Sequence, residues 1–423
     1  MKKTLWVSAL VWFLVLVLGI PNDIPAWFFQ VQIQSLSWFW ILLWLTVSCV
    51  IFFQMDKFSH SKKLLALFSL GFCSQIFFSI GGEQQLIDHC FESGHAEFVV
   101  AGSRHFSWHR IISEYDVLLQ QEGLRYSMSK PPGQLLFYSF LFWFLPTETG
   151  VHPLAFVDYA HFQFSLLLVF VLPLLAASVI FPMFAIAKKH WQEKAWFPVF
   201  IFVVSPAFSL IVMHLDQALY PLVTCSILYL TLQASQRKKI YLAVLAGALY
   251  GLGCFVSFSL LPVPLLLVCV LPMNKTSIRY VFASIGGFLV WYMFLWVLTD
   301  YNPITRYENA MSFHAEWKGF PWTWRNWWIA TKVNVVEFVL WMGPLLVLFV
   351  YKLRKAQVET YMFLVLIVAL LLFGKAAGEV ARMWLFFTPI LWIHLLPKKE
   401  HLIKNSACIM LLYTITVKWL MDF

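Results

Sequence analysis

Apolar runs of about 17 to 25 residues recur from one end of this chain to the other, which is the length a helix needs to cross the hydrocarbon core of a bilayer. Each run is closed by Lys/Arg or by Pro, Asn or Asp. Of 423 residues, 61% are hydrophobic and only 12% are charged, so a fold in water would expose apolar surface it has no means to bury. The expected class is all-α, a polytopic helical bundle embedded in a membrane, because a helix satisfies its own backbone where no water is present.

A formal charge of +9 raises the question of nucleic acid, but Lys and Arg sit in short clusters between apolar runs and form no basic stripe. Topology accounts for them better, and no nucleic-acid partner is expected. The positive-inside rule puts the clusters in 56–63, 188–194, 236–239, 274–279, 352–355 and 398–404 on the cytoplasmic side. Thirteen spans thread between them: 4–20, 36–55, 64–80, 161–187, 195–213, 217–235, 240–260, 261–273, 280–298, 333–351, 361–373, 383–396 and 403–420. The first resembles a secretory signal without a small-residue cleavage site, so it is read as an uncleaved span. The run 134–145 is too short to cross and would reverse everything after it, which makes it an interfacial or re-entrant helix. Six of the seven cysteines lie in apolar runs and Cys90 stands alone in a loop, so no disulfide framework is expected.

With this threading the polar residues gather in loops on the non-cytoplasmic side. Segment 81–133 is far longer than a connection requires and carries Glu83, Asp88, His89, Glu92, His95, Glu97, His105, His109 and Lys130 among its ionisable residues. Its apolar positions fall at helical spacing (Leu86, Ile87, Phe91, Phe98, Val99, then Ile111, Ile112, Tyr115, Leu118, Leu119), which predicts two amphipathic helices in the membrane interface. Three shorter segments end helices on the same side. His214-Leu215-Asp216-Gln217 opens a span, where Asp216 suits an N-cap as well as a ligand. Glu379 and Arg382 open another, and a cation at that end of a helix dipole calls for an anion, either Glu379 or a bound phosphate. The stretch from Asn302 through Arg306 to His314 and Trp317 mixes cations with aromatics, beside a Trp-rich run that an interface alone explains.

One motif is less generic. Ser129-Lys130-Pro131-Pro132-Gly133-Gln134 resembles the (H/K)PPG-type motif that closes the first large outer loop of GT-C glycosyltransferases, the multi-spanning enzymes that include protein O-mannosyltransferases and the lipid A aminoarabinose transferase. The resemblance extends loosely over 64–396, leaving 1–63 as an added N-terminal hairpin and 64–423 as the GT-C-like domain. It implies transfer of a sugar from a polyprenyl-phosphate carrier to a lipid, glycan or protein acceptor, on the outer face of what would be a bacterial cytoplasmic membrane. Such a carrier leaves as a stabilised anion, so the chemistry needs cations at the phosphate and one carboxylate base for the acceptor hydroxyl, with inversion at the sugar. The family places an Asp or Asp-Glu early in this loop, and no Asp-Glu pair occurs here. Glu97, beside His95, is the favoured base and Asp88 the second candidate. Lys130, with its backbone fixed by two prolines, is the phosphate contact, and Arg382 the second. His214, Asp216, His314 and Glu379 complete the expected substrate-binding set. No cofactor is expected.

Two alternatives come from the same residues. His105 and His109, at i and i+4, share a helix face as a metal pair would, though a lone pair at that spacing is weak. A transporter or lipid-linked glycan flippase is the other, but it would need ionisable residues at mid-span, and here they collect at one interface. The orientation is testable directly: in a cysteine-less background, a cysteine at Ser103 is expected to react with an impermeant thiol reagent added outside, and one at Gln236 is not. Reversed labelling would overturn the threading.

Overall fold

The computed structural model describes residues 1–23, 31–81, 94–104, 106–145, 159–210, 214–270, 275–318, 323–354, 358–373 and 380–421. These are 85% helical, and their one strand-like feature is an isolated antiparallel bridge between Val31 and Met421. The chain begins with α1 (Lys2–Val17), α2 (Trp38–Gln54) and α3 (His60–Ile80). Short helices follow: α4 (Ala96–Gly102), α5 (Trp108–Ser113), α6 (Tyr115–Glu122) and α7 (Gly133–Phe142). The central bundle is α8 (Tyr159–Ala177), α9 (Ile180–Trp191), α10 (Trp196–Val204), α11 (Pro206–Ser209), α12 (Leu215–Arg237), α13 (Ile240–Val256), α14 (Val263–Val270) and α15 (Lys275–Thr299). The rest is α16 (Pro303–Lys318), α17 (Trp324–Met342), α18 (Val347–Arg354), α19 (Val358–Phe373), α20 (Val380–Met383), α21 (Thr388–Leu395) and α22 (Glu400–Leu420).

Among the described residues six helical stretches are long and apolar enough to cross a membrane: Trp38–Lys57, His60–Ile80, Phe164–Lys194, Leu215–Arg237, Ile278–Thr299 and Trp324–Arg354. Shorter apolar helices stand at Gly133–Phe142, Ile240–Val256, Phe258–Leu267 and Thr360–Leu371. This is the architecture of a helical membrane protein, but the thirteen expected crossings do not appear one for one. Proline explains part of the difference. The expected span 195–213 breaks at Ser205, which is extended (φ −75°, ψ 150°) because Pro206 disfavours helical backbone in the residue before it. The span 383–396 divides into α20, a 3₁₀ turn at Trp384–Phe386 and α21. The span 333–351 starts earlier, at Trp324, and bends at Gly343, whose φ of 60° precedes Pro344.

Of the two amphipathic helices expected between α3 and α7, the first falls largely on 82–93, outside the described residues. The second is resolved as α5 and α6. Ile111, Tyr115, Leu118 and Leu119 are buried with Leu135 and Tyr138 of α7 and Phe164 and Leu168 of α8, so this apolar face meets protein. The amino-terminal segment is also tied in. Ser8 Oγ donates to the Pro344 carbonyl at 3.0 Å, Trp6 Nε1 to Asn405 Oδ1 at 3.0 Å, and Gln32 N to the Leu420 carbonyl at 2.9 Å.

Among the described residues, helices α13 and α15 form the most extensive helix pair. Small residues let their backbones meet: a Cβ added at Gly247 would collide with the Ser284 carbonyl, and one at Gly287 with that of Val244. Gly286, by contrast, faces open space. Gly247→Val is expected to force the helices apart and cost roughly 1–3 kcal/mol or more, whereas Gly286→Ala is expected to be neutral or slightly stabilising. Thermal unfolding in detergent measures both, and equal effects would overturn the seam.

Candidate functional site

The site grows from a single turn. Residues Ser127–Ser129 form a 3₁₀ turn just before the Lys-Pro-Pro-Gly run, and Glu97 of α4 caps it: Oε1 accepts from Tyr126 N at 3.1 Å and Oε2 from Ser127 N at 2.9 Å. Lys130 leaves the turn extended (φ −119°, ψ 156°), the conformation Pro131 favours. Its Nζ lies 3.0 Å from Asp216 Oδ2. Gly133, which starts α7, lies so close to the Phe255 carbonyl that a Cβ would collide with it. That close approach brings the Lys-Pro-Pro-Gly run against the end of α13.

Asp216 sits in the first turn of α12, and the N-cap is His214. The carboxylate is therefore not the cap, although its place near the positive end of the helix dipole suits it. Gln217 N donates to Oδ1 at 2.9 Å, and Tyr220 OH, one turn on, donates to Oδ2 at 3.0 Å. The Tyr220 hydroxyl also lies 2.7 Å from Ser257 Oγ. A second chain of contacts runs through Tyr126. Its ring lies under the Lys130 ammonium at 5.5 Å, its hydroxyl is 2.7 Å from His95 Nε2, and His95 stacks on His214 with ring centres 3.9 Å apart.

The Asp216 side chain is only 2% exposed and that of Lys130 20%, so the ammonium is the member of the pair that a ligand can reach. Burial works against the charged form of Lys130, but the Asp216 carboxylate outweighs it and holds the lysine well above its ordinary range. Since the folded-state value is raised, the stability linked to this charge is complete below about pH 10.4, the ordinary lysine value. It is lost only as pH rises through the higher folded value.

Lys130 opens onto a cavity of about 470 Å³. Tyr126, Ser129, Ser257, Ser259, Tyr307 and His314 give it a polar portion, and Leu261, Pro262, Leu265, Leu370 and Trp384 an apolar one. A second cavity, of about 690 Å³ and almost wholly apolar, takes in Gly133, Leu136, Phe140, Trp143, Leu252 and Val256. Phe255, which Gly133 meets, lines this second cavity as well.

The structure thus brings together Lys130, Asp216, His95 and His214, and places His314 on the same cavity. Glu97 stands beneath the turn that carries Lys130. Asp88 and Glu379 lie outside the described residues. Arg382 lies in α20, its side chain outside the described ones, next to Met383 and Trp384, which line the cavity. Of the proposed metal pair, His105 is outside the described residues and His109 Nδ1 is 3.3 Å from Ser113 Oγ. Among the described residues no group of three or more His, Cys, Asp or Glu side chains gathers as a metal site. Tyr126, Tyr220, Ser257 and Glu337 were not expected. Tyr220 carried a signal, being one helical turn from Asp216. Glu337, buried in α17, accepts from Val380 N at 3.0 Å and so caps the short helix that holds Arg382. Comparison with protein-family models, characterised proteins and solved structures gives no match to this chain. What fold and site define is a helical membrane protein with a half-buried lysine, paired to a buried carboxylate, at the head of an amphipathic cavity.

Asp216→Asn would leave the burial of Lys130 unopposed, so its amine is expected to titrate below the ordinary lysine range. Acylation of Lys130 at about pH 9, followed by peptide mass spectrometry, is expected in this variant and not in the parent. Equal labelling would show that Asp216 does not hold the charge.

Proposed function

We propose that this chain is a membrane glycosyltransferase of the GT-C kind, moving a sugar from a polyprenyl-phosphate carrier to a lipid, glycan or protein acceptor on the non-cytoplasmic face of a bacterial membrane. The observation that supports this most is the single cavity in which an ammonium stands beside an apolar wall. A polyprenyl phospho-sugar has the same division: a phosphate for Lys130 and a hydrocarbon chain for Leu261, Pro262, Leu265 and Leu370. The polar side chains Ser257, Ser259, Tyr307 and His314 are then available to sugar hydroxyls.

The reaction is a single displacement. An acceptor oxygen attacks the anomeric carbon opposite the phosphate, the carbon–oxygen bond to phosphate breaks, and the phosphate leaves as an anion neutralised by Lys130, with Arg382 as a second cation. The acceptor proton passes to a carboxylate. Both Glu97 oxygens already accept backbone amides, which commits the carboxylate to the turn. Its role becomes holding the turn that presents Lys130, and the base is assigned to Asp88. Asp216 keeps Lys130 charged until the donor arrives.

Three variants and a donor-binding measurement test the assignment. Asp88→Asn is expected to lower turnover by roughly 10²–10⁴-fold with donor affinity unchanged. Glu97→Gln is expected to weaken donor binding, because the turn loses a charge-assisted cap. Lys130→Met is expected to weaken binding most. If Glu97→Gln removes turnover and leaves binding intact, Glu97 is the base after all. If the purified protein binds a polyprenyl phospho-sugar yet transfers no sugar from it to any acceptor, the chain is a carrier of the lipid and the transferase reading fails.

A further inference from the structure

Helix α16 has two faces with two tasks. Tyr307, Met311 and His314, at i, i+4 and i+7, line the cavity that Lys130 enters. Arg306 and Asn309 instead meet the segment that precedes Lys130. Asn309 Nδ2 donates to Asp116 Oδ2 at 2.7 Å. Arg306 pairs with Asp116 Oδ1 and donates to the Met128 carbonyl. Its guanidinium also stands over the Tyr115 ring at 5.3 Å, and the Tyr115 hydroxyl donates to the Ser127 carbonyl at 3.1 Å. The 3₁₀ turn is therefore gripped from two directions, by the Glu97 carboxylate at its amides and by Arg306 and Tyr115 at its carbonyls. Lys130 N donates to the Ser127 carbonyl as well, at 3.0 Å, so the grip extends to the lysine backbone.

Arg306 is only 3% exposed. Burial pulls its guanidinium below the ordinary value and the neighbouring Tyr115 pushes back, but an arginine keeps its charge over the whole physiological range. A buried ion pair is a poor source of stability, since well-packed apolar residues of similar size often do as well or better. What a planar fork adds is direction: it can address a carboxylate and a carbonyl at once, and a lysine cannot hold the same geometry.

We infer that Arg306 is a positioning residue for Lys130, locking the turn Ser127–Ser129 to α16 so that the ammonium on one element and Tyr307 and His314 on the other share one fixed cavity. The ligand side of this inference rests on the phosphate-binding reading above. The mechanical side rests on the contacts alone.

The test uses the full chain in lipid nanodiscs, with undecaprenyl phosphate as the probe and the fluorescence of Trp384 and its neighbours as the signal. Arg306→Met is expected to weaken binding about tenfold or more, the scale of one lost charge-assisted contact. Arg306→Lys is expected to fall in between. The deciding comparison is with Lys130→Met: the double variant is expected to bind no more weakly than Lys130→Met alone, because Arg306 acts only through that lysine. Independent, multiplying effects would overturn the inference. Where Arg306→Met does not fold, Asp116→Asn and Arg306→Lys serve instead, and unchanged affinity in both would overturn it. A second readout needs no ligand. Releasing the turn is expected to raise the acylation rate of Lys130 several-fold, while that of Lys418, 6% exposed in α22, stays as in the parent. If the parent chain binds no undecaprenyl phosphate, the functional reading fails on its own, and the Lys130 acylation rate alone decides the positioning role, an unchanged rate overturning it.

Discussion

A lysine ammonium at the edge of an apolar cavity stays charged because one buried carboxylate faces it. The surrounding structure is arranged around keeping Lys130 and Asp216 3.0 Å apart. Removing two charges from water costs several kcal/mol for each, and their attraction repays this only when the geometry is good and the remaining lone pairs are satisfied. Here they are: Tyr220 and the Gln217 amide serve Asp216, while the Tyr126 ring serves the ammonium. A ligand anion that draws Lys130 toward itself competes with Asp216, so affinity at this site is a difference between two strong interactions. Such a site discriminates by charge and placement and not by buried area.

How much of this was legible in the sequence varies with the range of the interaction. The membrane character was plain, since composition and run length are local properties. The number of crossings was not. Ser205-Pro206 and Gly343-Pro344 interrupt apolar runs that hydropathy reads as continuous, and hydropathy is blind to the backbone break a proline imposes. Lys130 stood out through its motif and Asp216 through its place at a helix start, but 86 residues separate them and nothing local announces their pairing. The carboxylate of Glu97 was visible as an acid and not as a cap, because its amide partners lie 29 and 30 residues further on. Arg306 was noticed only as one of several cations among aromatics.

The wall of the apolar cavity includes a residue without a side chain. Gly133 lets the first turn of α7 rest on the Phe255 carbonyl, and both residues line the apolar cavity. Any larger residue would move α7 away from α13 and reshape that cavity. The Lys-Pro-Pro-Gly run thus combines three physical constraints in four residues: a charge, a fixed extended backbone, and a point of close approach.

The glycine seam between α13 and α15 has a consequence for how the molecule is made. Two helices that interlock backbone to backbone leave no layer of side chains to repack, so they fit in one register or not at all. Gly247 meets Ser284 and Gly251 meets Trp291, so α13 and α15 run parallel, and the chain has to return between them before the seam can close. Errors at this seam belong to biogenesis, and they would reach the cell as missing protein before they could appear as altered chemistry.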